Sequence, residues 1–102
     1  MTMYMIIQVY HISHKKNRKS ISEKGIIANE KISGRIKYGP SVFFSINEND
    51  LGFDFVNYEN VDCWSFNVNS SKIKKDPFSG SKNHFYVEDD ISPKKIKLNN
   101  SY

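Results

Sequence analysis

Residues 4–12 open the chain with β-branched and aromatic side chains throughout, and read as a first strand. They lack clean apolar–polar alternation, which predicts burial on both faces. His14 to Lys24 reads as a short, very polar helix with Ile21 as its core anchor. Ser13 is placed to cap that helix and Gly25 to stop it. Ile26-Ile27 suits a short strand, and Ala28 to Pro40, with Gly34, Gly39 and Pro40, reads as a mobile loop. Val42 to Ile46 is a second buried strand. Asn47 then caps a predicted helix whose Leu51, Phe55 and Tyr58 share one face.

Val61 to Val68 alternates well, with Asp62, Trp64, Phe66 and Val68 on the apolar side. Lys72 to Lys82 reads as a loop, with Asp76-Pro77 and Ser79-Gly80 as turn signals. His84 to Glu88 is a further strand, Asp89-Asp90 a turn, and Lys95 to Leu98 a last short strand. The predicted organisation is a single domain over 1–98 with a frayed tail at 99–102.

Composition narrows this picture modestly. A chain of 102 residues buries a core with a limited margin of stability. Aromatics are 14% of residues and Leu occurs only at Leu51 and Leu98, so the core should be aromatic-rich. The net charge of +4 tilts the chain mildly toward acidic partners. Its cations are nearly all lysine, with Arg18 and Arg35 the exceptions, which weighs against a dedicated nucleic-acid binder. Cys63 is alone, so it forms no intramolecular disulfide; a reducing compartment, the cytoplasm, is the expected location. The apolar run Tyr4 to Tyr10 is too short to span a membrane, and no membrane association is expected.

No metal site is expected. His11 and His14 diverge at a strand end, and Cys63 has neither Cys nor His near it in sequence. No phosphate-binding glycine loop is present. His11 reads either as a local packing residue or as a rigidly held group for a ribose hydroxyl. Ser45 reads either as a cap on the next turn or as an orienting group beside aromatic faces at Tyr38, Phe43 and Phe44. Glu88 reads as an exposed strand residue or a reacting carboxylate. Lys94, Lys95 and Lys97 read as a solvated face.

The string Val9-Tyr10-His11-Ile12-Ser13, with Asn17, Ile21 and Gly25-Ile26, resembles the first motif of small ADP-ribosyltransferase-like proteins. Tyr38-Gly39 followed by Ser41-Val42-Phe43-Phe44-Ser45 resembles their second motif, and Asp62 to Val68 the strand after it. Ile91-Ser92-Pro93-Lys94-Lys95-Ile96 resembles their closing I-x-P-x-x-I segment. The resemblance implies an α+β fold, a small split mixed β-sheet core with one or two short helices, and NAD bound between its halves. It makes Tyr10, His11, Ser13, Tyr38, Phe44 and Ser45 candidate cofactor-binding residues. His11 would contact the ribose or the nicotinamide amide, Tyr38 and Phe44 would wall the nicotinamide, and Ser45 would support the third-motif residue.

That third residue is usually a Glu, which stabilises positive charge developing on the ribose. Counting back from Ile91, its place falls near His84, with Glu88 a few residues on, so both are candidate catalytic residues. The implied function is binding of NAD or an ADP-ribose-like nucleotide, with transfer of ADP-ribose to a protein or nucleic-acid acceptor. The alternatives are an inactive relative that binds a protein partner as an inhibitor or sequesters a nucleotide, for example one carried by a mobile element, and RNA-end binding or processing.

Overall fold

A computed structural model describes residues 5–33, 36–52, 58–77 and 79–102, with the backbone alone for 31–33, 36–38 and 58. The strands are β1 (Ile6–His14), β2 (Asn29–Ser33), β3 (Ile36–Ser45), β4 (Val61–Asn69), β5 (Lys74–Lys75), β6 (His84–Val87) and β7 (Lys97–Ser101). A single α-helix, α1 (Arg18–Lys24), is described. The chain is thus a small α+β domain. Its sheet runs β5-β6-β3-β1-β4-β7, with β2 on β3, and every described ladder is antiparallel. The expectation of mixed strand directions is corrected accordingly.

The ladders are unequal. β1 pairs with β4 along its whole length, from Ile6↔Asn69 to His14↔Val61. β3 pairs with β6 from Val42 to Ser45. Between β1 and β3 the described register is one pair, Tyr10↔Ser45. The sheet is therefore two well-knit parts joined at a narrow seam.

Registers assign the side chains to faces. Val9, Val42, Phe44, Trp64, Phe66, Val68 and Val87 share one face, and Ile21 of α1, Ile26 and Ile91 complete that core. Phe44 of β3 meets Phe66 of β4 edge-on, with ring centroids 6.0 Å apart, so the core crosses the seam. The other face carries the row His84–Ser45–Tyr10–Ser65–Lys97. Val61, Cys63, Ser45 and Ser65 are buried on that side too. Burial pushes the Cys63 thiol up to about 11, against a weaker opposing hydrogen bond from the Asn99 side chain. A thiol held protonated in this way is a packing group, not a nucleophile.

α1 is stopped at Gly25 as its sequence predicts. Gly25 has φ +82°, its N–H donates to the Ile21 carbonyl, and a Cβ there would lie 2.0 Å from the Ile91 carbonyl oxygen. Only glycine combines that φ with so close an approach. Ile26 and Ile91 then exchange backbone bonds of 2.9 and 2.8 Å, which draws the 3-10 turn Pro93–Lys95 against α1.

Several expectations change. Ser13 does not cap the helix; a 3-10 turn, Lys15–Asn17, intervenes before α1. The loop expected over 28–40 is replaced, among the described residues, by β2 and the start of β3, which pair antiparallel. Between Asn29↔Ser41 and Lys31↔Tyr38 one β2 residue faces Gly39 and Pro40, a bulge that accommodates a proline without an N–H. The tail does not fray. Its polar residues have little strand propensity, but the edge of β4 offers a ladder, with Asp62↔Ser101 in register and the Tyr102 N–H on the Val61 carbonyl. Asn47 caps a turn, its Oδ1 accepting from the Asn49 N–H. Phe55 of the helix expected there lies outside the described residues.

Candidate functional site

Continuing the Tyr10↔Ser45 register would set Ile12 opposite Phe43. Instead the Phe43 carbonyl accepts from Nδ1 of His11 at 2.6 Å, so a side chain stands where the backbone ladder lapses. A carbonyl only accepts, so Nδ1 carries the proton and neutral His11 presents a lone pair at Nε2. Burial lowers the His11 pKa, outweighing the opposing effect of the Phe43 bond, and keeps the ring neutral at pH 7. Nε2 has no partner among the described residues.

Two residues further along β1, on the same face, Ser13 accepts a 3.0 Å bond from the Trp64 indole. Trp64 is opposite His11 in the β1–β4 register, so the indole and the imidazole stand side by side. Beyond Ser13 the fully buried Asp62 receives Nε of Arg18 at 2.9 Å and a second guanidinium nitrogen at 2.6 Å. That same nitrogen reaches the Ser101 hydroxyl at 2.9 Å. The bidentate guanidinium holds the Asp62 carboxyl below its ordinary range despite burial. This cluster ties α1 to β4 and β7 and fixes the end of β1 that carries His11 and Ser13.

The other named residues lie elsewhere. Tyr10 and Ser45 are paired across the seam but face away from His11. Burial and, secondarily, the Glu48 carboxylate raise the Tyr10 hydroxyl. The Ser45 hydroxyl donates to the Asn47 carbonyl at 2.9 Å and accepts from the Asn47 N–H at 3.1 Å, so it caps the next turn. Phe44 is a core residue and does not wall an opening. Phe43, on the other face, packs on Tyr86 with centroids 5.2 Å apart. Tyr38 belongs to β3, and its side chain lies outside the described residues.

His84 is opposite Ser45, but both its ring nitrogens are engaged. Nε2 donates to the Asp50 carbonyl at 3.0 Å, with an Asp50 carboxylate oxygen at 3.4 Å. Nδ1 accepts from the Ser79 hydroxyl. The Asp50 carboxylate also takes the Ser81 hydroxyl and, at 3.0 Å, the Asn83 amide; these two bonds hold it below the usual carboxylate range. Gly52 packs on the imidazole, where a Cβ would lie 3.1 Å from Cε1. His84 therefore pins the loop after β3 to the loop before β6. Glu88 lies just past β6, exposed and ion-paired with Lys74.

The structure thus brings His11 together with Ser13 and Trp64 at the seam, sets Tyr10, Ser45 and His84 on the opposite face, and leaves Glu88 at the surface. Arg18, Asp62 and Asp50 carry the polar clusters on either side. Sequence reading does not single them out, because their partners are 31 to 83 residues away in the chain. Among the described residues no group of His, Cys, Asp and Glu is arranged to hold a metal, and no helix is long and apolar enough to cross a membrane. Comparison with protein-family models, curated proteins and solved structures finds no match for the chain.

Proposed function

We propose that the chain is a small ADP-ribosyltransferase-fold protein that binds NAD or an ADP-ribose-like nucleotide where β1 and β3 part. One observation carries this reading: His11 stands at the seam, fixed through Nδ1, with a neutral Nε2 lone pair that has no partner among the described residues. Such a lone pair accepts from a ribose hydroxyl or a carboxamide N–H. The motif order of the sequence supports it, since the segments resembling the first and second motifs are the two strands that meet there.

A second reading concerns chemistry. Glu88 is taken by Lys74 and His84 by Asp50 and Ser79, so neither candidate third residue is free to act at His11. This favours binding without ADP-ribose transfer: a nucleotide-sequestering protein in the cytoplasm. The test is titration calorimetry with NAD and with ADP-ribose, alongside an assay for transfer from labelled NAD to the protein itself. Saturable binding that His11→Asn weakens, with no label transferred, is the expected result. Absence of binding by either nucleotide overturns the first reading; transfer lost in Glu88→Gln overturns the second.

A further inference from the structure

Two lysine-bearing segments, far apart in sequence, converge on one face. Residues 15–24 and the turn 93–95 pack together through the Gly25–Pro93 approach and the Ile26–Ile91 bridge. Together they present Lys15, Lys16, Lys19, Lys24, Lys94 and Lys95, with Glu23 the only acidic residue. Arg18, also there, is neutralised by Asp62. Among the described residues none of the six lysines is in an ion pair, whereas Lys72 and Lys74 on the opposite margin are paired with Asp89 and Glu88. Six lysines and one glutamate give +5 in a chain of net charge +4. The rest of the chain therefore sums to −1, so the net positive excess lies on the surface these two segments share.

We infer that this face docks the phosphate backbone of a nucleic acid. Exposed Asn17, Ser20 and Ser22 lie among the lysines and add neutral donors of the kind that contact phosphate and sugar oxygens. An ammonium is a point charge without the planar fork that reads base edges, so recognition is independent of sequence. A membrane-binding face intersperses apolar side chains with its lysines. Here the one large apolar residue of the two segments, Ile21, is turned into the core. The inference does not depend on nucleotide binding at His11. The face begins where β1 ends, however, so a bound strand would run past the seam.

Fluorescence anisotropy with a labelled single-stranded RNA, without added nucleotide, tests it. With six phosphate contacts, log Kd against log salt should have a slope of about 4, a loss of over a hundredfold between low and moderate salt. Lys19→Glu combined with Lys94→Glu, one from each segment and both exposed, should weaken binding at least about tenfold. Lys82→Glu, outside the face, should change it little. No binding, equal effects of the double variant and Lys82→Glu, or binding to anionic vesicles in place of RNA would each overturn the inference.

Discussion

His11 and His84 are each one step from the same Tyr10–Ser45 pair, yet they are different chemical objects. His84 spends both nitrogens on its own protein: Nε2 on Asp50, Nδ1 on Ser79. His11 spends one, on a carbonyl, and keeps the other. The difference lies in what surrounds each strand end. Beside His84 two polar loops meet and saturate the ring. Beside His11 the ladder between β1 and β3 lapses, and Nε2 has no partner among the described residues. Availability for a ligand follows from this hydrogen-bond accounting rather than from position on a motif.

The contrast presupposes one core beneath both histidines. Phe44, meeting Phe66 across the seam, should then behave as a core residue: Phe44→Ala is expected to cost about 3–5 kcal/mol in urea unfolding. Phe43→Ala, on the half-buried other face, should cost clearly less. Equal small effects would mean that the two sheet halves do not share a core.

His84→Ala comes next in size. It removes the donor to Asp50 and the acceptor for Ser79, with an expected cost of about 1–3 kcal/mol. Nucleotide affinity, measured on the folded fraction, should stay at the level of the unsubstituted protein. A selective loss of affinity at unchanged stability would erase the distinction and return His84 to the ligand site.

His11→Asn sharpens the comparison further. The Asn amide can donate to the Phe43 carbonyl much as Nδ1 does, but it offers nothing at the Nε2 position. Stability should change by less than about 1 kcal/mol. NAD affinity should fall about tenfold, the equivalent of ~1.4 kcal/mol. If stability collapses and affinity per folded molecule does not change, the ring is a structural plug.

The parts legible in the sequence were those that local chemistry decides. β-branched and aromatic runs marked β1, β4 and β6, Gly25 ended α1, and Ile21 anchored it. What was not legible depends on register and distance. Whether Ser45 shares a face with His11 is decided by the Tyr10↔Ser45 pairing, and a one-residue slip would reverse the answer. Asp62 alternates with Trp64 and Phe66 and so reads as part of an apolar stripe; its burial is tolerable only because Arg18, 44 residues earlier, arrives from α1. Asp50 reads as a charge near a helix start until β6 brings His84 beside it. The polar tail read as frayed because a strand at a sheet edge is stabilised by its neighbour more than by its own side chains.

The smallest expected effect is a dependence on pH set by His11. The folded-state pKa of His11 lies below its ordinary value of 6.5, because burial disfavours the imidazolium more than the Phe43 carbonyl favours it. The unfolded chain takes up that proton first as pH falls. Stability from this group is therefore complete above 6.5 and is lost as pH drops through the window beneath it. Asp62 and Asp50, held below the usual carboxylate range, stay charged through that window and act at lower pH. Urea midpoints on either side of pH 6.5 should show the decline, and His11→Asn, which does not titrate, should flatten it. NAD affinity should stay level until pH reaches the lowered folded-state pKa and fall there, as protonation of Nε2 removes the acceptor. A rise in stability on acidification across the same range, or a decline that persists in His11→Asn, would show that burial does not govern this ring.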